Sequence, residues 1–291
     1  MNVEQAHDVC REITHRHGAN FSVGFRFLPP VKRRAVYAAY AYCRQADDLA
    51  DEPVEDHLAG GDEIAGRLER LAAWQAELDA CYAGRPEEPI TIALADSLQH
   101  FDIPKSAFVA LIDGCRQDMA KTRYETFEEL LHYCELVATS ISDISLSIYG
   151  YRTPMALEYG RNLSTALQLT NVTRDIGDDL QRDRIYVPAE ELRRFELEER
   201  DLLMRVEDER VIRLVRFQID RAESYFRAAE PLLGELDFDA RFPTLLMGGV
   251  YATVLSKLKK NPLAAVRERL ALSTGEKILV IGSRMLRPHF V

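Results

Sequence analysis

The sequence predicts an all-α protein. Helical three-four spacing of apolar residues runs through nearly all 291 residues, no alternating strand pattern repeats, and the breaks are short Pro/Gly pieces such as "AGRPEEP". No composition shift or low-complexity tract marks a linker, so residues 1–291 are read as one domain, long enough to bury a large core.

The helices follow in order. "VKRRAVYAAYAYCRQADDLADE" begins after the Pro29–Pro30 stop and is rich in Ala and long side chains, as a helix interior should be. "DEIAGRLERLAAWQAELDACYAG" is periodic and closes at a glycine. Residues 128–149 form a long apolar helix ended by Gly150. "PMALEYGRNLSTALQLTNVTRDIGDDLQRDRIYVP" opens after Pro154 and gives a second, over 155–180. Both are apolar on more than one face, as helices are when packed all round or lining a cavity. Further helices are expected over 206–234, 241–259 and 273–286.

Composition narrows the function. Apolar residues make up 47%, charged residues 29%, and the net charge is -10. A nucleic-acid binder should show a basic face, so that class is disfavoured. Cys10, Cys43, Cys81, Cys115 and Cys134 lack CxxC spacing and read as small buried hydrophobes of a reducing compartment. "MNVEQAHDVCREITHRHG" has no apolar signal core, and no run reaches the ~18 apolar residues a bilayer span needs. A cytoplasmic location is expected. The apolar, basic "KILVIGSRMLRPHFV" offers peripheral membrane contact, with a docked terminal helix as the plainer alternative.

The chemistry is concentrated in two acidic stretches. In "RQADDLADE", Asp47 and Asp51 are four apart, as are Asp48 and Glu52, so like charges share a helix face and repel by a few tenths of a kcal/mol. In "NVTRDIGDDLQRDR", Asp175, Asp179 and Asp183 recur every four residues. A solvated face is the plain reading of one such cluster. Here the second stripe continues an apolar helix and repeats the geometry of the first, each with an upstream arginine, Arg44 and Arg174. Two Asp pairs facing across a cleft would make an all-oxygen site suited to Mg²⁺, which keeps waters and bridges carboxylates to substrate phosphates. The arginines would contact the remaining oxygens.

A di-iron bundle fits less well. Glu-x-x-His occurs at Glu4/His7, Glu12/His15 and Glu129/His132, but the first two share one helix, and ferritin-like sites draw on four. No nucleotide loop, GxSxG elbow or Cys/His nucleophile arrangement is present. A non-catalytic helical scaffold remains as an alternative.

"YAAYAYCRQADDLADEP" followed by "ALQLTNVTRDIGDDLQRDRIYVP" resembles the squalene/phytoene synthase family of trans-isoprenyl diphosphate synthases. "NFSVGFRFLPPVKRRAVYA" and "DMAKTRYETFEELLHYCELVA" extend the likeness over nearly the whole chain. The resemblance implies a class I terpenoid synthase fold around a central cavity and Mg²⁺-assisted head-to-head joining of two allylic diphosphates, with Mn²⁺ as a substitute metal. It implies metal ligands at Asp47, Asp51, Asp175 and Asp179, and diphosphate contacts at Arg44, Arg174, Tyr186 and, in a loose alignment, Arg269. Gln168 and Asn171 match polar positions near the reacting groups, and Tyr40 a tyrosine beside the first motif. Phe21 and Phe25 match aromatics that flank the substrate chains. Tyr133, Val137 and Ile141 match cavity-lining positions. A long apolar pocket with aromatic faces suits prenyl chains and their carbocations, worth ~0.5–2 kcal/mol per face, although core packing explains Phe21, Phe25 and Tyr133 equally well.

One departure is "VATSISDIS", where relatives read "VAGTVG"-like. Ser140 and Ser142 stand for glycines and Asp143 follows, which bears on the product and leaves the reaction class alone. The final cation can be quenched by hydride from NADPH to give squalene, by proton loss to give phytoene or dehydrosqualene, or by water. "RHGANFSVGFRFLP" looks most like bacterial squalene-type enzymes of hopanoid biosynthesis, including those that act on presqualene diphosphate. The squalene branch is therefore the expectation, with the carotenoid branch as its alternative. Oligomeric state is not readable.

Overall fold

The computed structural model describes residues 1–17, 22–52, 63–267, 270–286 and 289–290. These residues are helical almost throughout, and the β-pairing among them consists of two isolated bridges, Arg123 with Ile185 and Tyr151 with Leu236. The first part of the chain forms α1 (Val3–His17), α2 (Ser22–Phe25), α3 (Pro30–Asp51), α4 (Glu63–Tyr82), α5 (Pro89–Leu98) and α6 (Lys105–Ala120). Next come α7 (Phe127–Cys134), a π-helical turn (Glu135–Thr139), α8 (Ser140–Tyr149), α9 (Met155–Arg174) and α10 (Ile176–Gln181). The remainder forms α11 (Ala189–Arg194), α12 (Glu199–Leu203), α13 (Glu209–Ala229), α14 (Leu232–Glu235), α15 (Phe238–Lys260), α16 (Ala264–Arg267) and α17 (Thr274–Leu286).

The helices group into two compact units. The first comprises Met1–Ala120, Ser140–Arg152 and Leu236–Pro243. Its axis is α3, which starts with Pro30 at the first helical position, where a missing N–H costs nothing. Alanines at 35, 38, 39, 41, 46 and 50 are buried and let α1, α4, α5, α6 and α8 approach closely. Tyr42 of α3 is fully buried, stacked on Trp74 of α4 at 4.8 Å and 17° and edge-on to Phe108 of α6 at 5.0 Å. The Trp74 indole N–H also donates to the Tyr42 carbonyl at 3.3 Å.

The second unit comprises Lys121–Thr139, Thr153–Glu235 and Thr244–Val291. Its centre is α9, which buries residues around most of its circumference, from Ala156 and Leu163 to Val172 and Arg174. The amphipathic α13 lies along it, started by Asp208, whose carboxylate accepts from the Arg210 and Val211 N–H groups. α7 is capped by Thr126, which accepts from Glu129 N–H at 3.3 Å, and α7 and the π-helical turn both pack on α9.

Two regions differ from the periodic reading. The helix expected over 128–149 is interrupted by the π-helical turn, because an inserted residue widens one turn without disturbing apolar spacing on either side. The helix expected over 155–180 bends at Asp175 (φ -98°, ψ 10°), although Asp175 N still reaches Asn171 O and Asp179 N reaches Asp175 O. The acidic stripe accordingly ends at Asp179. Asp183 lies beyond α10 with φ 54°, so it does not continue the row.

Candidate active site

In the first unit the acidic motif occupies the last turns of α3. Arg44 forms an i,i+4 ion pair with Asp48, leaving Asp47 on a different face. Burial is the largest single effect and opposes the arginine's charge, but the Asp48 hydrogen bond and the charges of Asp48 and Asp47, with Tyr40, together outweigh it, and the Arg44 pKa ends up raised. By accessible surface Asp47 is exposed, yet the protein mass around its carboxylate is that of a buried group. Desolvation pushes its pKa up to about 6, against the opposing pull of a Cys115 hydrogen bond and Arg44, while Asp51 and Asp48 add to the rise. The Cys115 thiol of α6 donates to Asp47 Oδ1 at 3.5 Å. Two turns back, burial raises Tyr40 to about 12, so its hydroxyl stays protonated. Phe25 is buried edge-on to Tyr37 at 6.3 Å and Tyr40 at 6.5 Å. Ile141 of α8 belongs to this unit and is 37% exposed.

In the second unit α9 presents Gln168, Asn171, Arg174 and Asp175 within two turns. Asn171 donates to Gln168 Oε1 at 3.3 Å, and its own Oδ1 is buried with no hydrogen-bond partner among the described residues. Arg174 is buried and forks onto Asp175, its Nε lying 2.7 Å from Oδ1 and its Nη2 bonding Oδ2. Burial is the largest effect and works against its charge, but the Asp175 hydrogen bond and charge, with Tyr251 and Asp179, together offset it and raise its pKa. Asp179, Arg184 and Tyr186 line a small hollow with Val172, Ile176 and Val187.

Three tyrosines pack above α9. Tyr133 of α7 stacks on Tyr186 at 5.3 Å, and Tyr124 lies 5.7 Å from each. Backbone pairing holds the stack together: Ile185 N donates to Thr122 O at 2.9 Å and Ala189 N to Tyr124 O at 2.8 Å. Arg123 fastens the same strap, donating to the Asp183 carbonyl, to Asp183 Oδ1 and to Glu199. Val137 lies half-buried in the π-helical turn. Phe21 and Arg269 lie outside the described residues.

Within the second unit, the carboxylates, neutral amides and paired guanidinium of α9 and the nearby aromatic faces are the group types that an anionic head on an apolar chain calls for. The family model described as squalene/phytoene synthase matches residues 14–276. The chain belongs to the squalene/phytoene synthase family. This is a family of prenyltransferase-type enzymes.

Among its relatives, the 15-cis-phytoene synthase of Synechocystis sp. is 36% identical over 98% of this chain and 86% of that protein. The phytoene synthase of Arthrospira platensis is 33% identical over 97% of this chain and 93% of that one. Among solved structures, a dehydrosqualene synthase in complex with ligand matches with a TM-score of 0.86 at 25% identity, covering 99% of this chain and 98% of that chain. A squalene synthase from Alicyclobacillus acidocaldarius matches with a TM-score of 0.81 at 31% identity, over 89% of this chain and 94% of that one. The all-α terpenoid synthase fold is therefore shared.

The relatives overturn the squalene-branch expectation. Phytoene synthases match at 30–36% identity over nearly the full chain, whereas that expectation rested on one N-terminal stretch. A short stretch that includes Asn20 and Phe21 carries far less information about product than the whole chain. NADPH, expected only for a squalene product, has no support.

Sequence reasoning missed four contributors. Cys115 reaches Asp47 from another helix, and no spacing could reveal that. Arg123 and Tyr124 sit in the block "DMAKTRYETF", whose resemblance was visible but whose residues carry no periodic signal. Thr139 ends the π-helical turn, buried, with its hydroxyl unpartnered among the described residues. The Glu-x-x-His pairs disperse: His7 bonds Asp96 at 2.9 Å, Glu4 pairs with Arg34, and Glu129 with Lys121.

Proposed function

We propose that the protein is a phytoene-type synthase, joining two geranylgeranyl diphosphates head-to-head into a C40 hydrocarbon. The observation that carries this reading is the full-length likeness to phytoene synthases, at 36% identity for the Synechocystis sp. protein. Two diphosphates and two protons leave per product, and no redox partner is consumed.

Among the described residues no three His, Cys, Asp or Glu side chains converge as a metal cluster. Paired carboxylates do fit a hard cation that takes its other ligands from water and diphosphate. On this reading Asp47 and Asp51 hold Mg²⁺ in the first unit, and Asp175 and Asp179 hold it in the second. Bound there, Mg²⁺ supplies positive charge to a departing diphosphate.

The protein's own groups supply the rest. Arg44 and Arg174 bring always-charged forks beside the carboxylates and contact diphosphate oxygens. Tyr186 lines the same hollow as Asp179 and Arg184 and is assigned a diphosphate contact there, and Arg269 is assigned a late diphosphate contact. Tyr40, protonated, offers a hydrogen-bond donor beside the first motif. The Tyr133 ring presents a π-face to an allylic cation, and Gln168 and Asn171 orient polar groups near it. Phe25 and Ile141 in the first unit and Val137 in the second are assigned to the prenyl chains, as is Phe21.

The test is incubation with geranylgeranyl diphosphate and Mg²⁺ without nicotinamide. A C40 hydrocarbon with two diphosphates released per molecule is expected. Release of a C30 product from farnesyl diphosphate only when NADPH is added would refute the reading.

A further inference from the structure

We propose that the first unit carries a docking surface for an anionic lipid bilayer, formed where α3 begins and α15 begins. Phe238 at the start of α15 is 86% exposed, and Phe27 and Val31 beside the start of α3 are 52% and 51% exposed. Three large apolar side chains open to water at one place call for a partner.

Their neighbourhood is fixed by contacts within the unit. Lys32, next to Val31, donates to the Tyr149 carbonyl at 2.7 Å, to Asp237 at 3.1 Å and to Asp239 at 2.8 Å. It thereby clamps both residues that flank Phe238. The ring of Phe27 meets that of Phe242, one turn further along α15, at 4.9 Å.

Charge selects the partner. The chain carries a net charge of -10, so positive residues are locally significant where they collect. Arg26 and Arg33 adjoin this surface, and among the described residues neither meets a carboxylate; Arg33 donates instead to the Arg26 carbonyl at 3.2 Å. The two nearby acids, Asp237 and Asp239, are both tied to Lys32. Aromatic tips that can enter the headgroup layer, next to arginines that can meet lipid phosphates, match an anionic membrane surface.

The placement along α3 adds a consequence. Val31 and Asp47 are sixteen residues apart on one helix, about 24 Å at 1.5 Å per residue. Docking therefore leaves the carboxylate end of α3 clear for ions and diphosphate. The purpose, delivery of an apolar product to lipid, rests on the proposed function; the surface does not.

The test is flotation of the full chain with phosphatidylcholine vesicles, with and without phosphatidylglycerol. Binding is expected only to the anionic vesicles, weakening as salt rises. Phe27→Ser/Phe238→Ser and Arg26→Glu/Arg33→Glu should each lower the bound fraction at least tenfold, with circular dichroism and C40 synthesis in detergent unchanged. Ile278→Ser/Leu279→Ser, on the exposed face of α17, should leave binding intact. Absence of binding at low salt, loss of binding only in the α17 variant, or a change in oligomeric state in place of vesicle binding would each overturn the proposal. Intact vesicle binding without any C40 product would count against the proposed function alone.

Discussion

Asp47 shows how one side chain can be costly to the fold and still be kept. Its carboxyl pKa, about 6, lies above the ordinary 3.8. The folded state therefore holds that proton more tightly than the unfolded chain, and the stability it confers is lost as pH rises from 3.8 through about 6. Asp47→Asn removes the charge, so the metal-free variant should melt no lower than the parent at pH 7 and lose that advantage near pH 4. Differential scanning calorimetry at both pH values checks this, and C40 synthesis should fall below detection. A Tm clearly below the parent's at pH 7 would contradict the desolvation account. The Asp47/Asp51 and Asp175/Asp179 pairs were legible in the sequence because i,i+4 repetition is a local signal. The Cys115 contact was not, since it depends on how α6 is laid against α3.

At the scale of elements, the π-helical turn and the bend at Asp175 both interrupt helices whose apolar spacing looked continuous. Periodicity records which residues face the core, and it survives a one-residue insertion or a single bent residue. Thr139 shows the effect. Buried Thr14, Thr170 and Thr173 bond back to the carbonyl four residues earlier at 2.7–2.8 Å, whereas the Thr139 hydroxyl finds no partner among the described residues. Thr139→Val should therefore stabilise the protein by about 1–2 kcal/mol in urea denaturation, since a buried unsatisfied hydroxyl costs about that much. Gly177 makes the opposite case: a Cβ there would lie 2.7 Å from the Val266 carbonyl oxygen of α16. Gly177→Ala should cost about 1–3 kcal/mol and lower kcat, because the displaced α10 carries Asp179. Normal turnover in that variant would show that this packing does not matter to the second motif. Opening the strap by Arg123→Ala should reduce kcat several-fold with thermal stability within a few degrees, read by steady-state kinetics and calorimetry.

For the whole molecule, fold class and family were readable because nearly every segment carries a helical period and the two acidic motifs are specific. The choice among products was not, because it depends on cavity shape and on how the last cation is quenched. The contrast between the short stretch "RHGANFSVGFRFLP" and the full-length likeness to phytoene synthases shows how little a local motif weighs on that question. No described helix is long and apolar enough to cross a membrane.

Trp74 is the chain's single tryptophan, and its indole lies flat on Tyr42 inside the first unit. Emission excited selectively through the indole is therefore a private channel to that unit, blind to the tyrosine stack of the second. Helix content followed by circular dichroism averages over both. If residues 1–291 melt as one cooperative domain, the two signals should trace the same curve in guanidinium; a fluorescence midpoint that moves away from the dichroism midpoint would reveal two foldons.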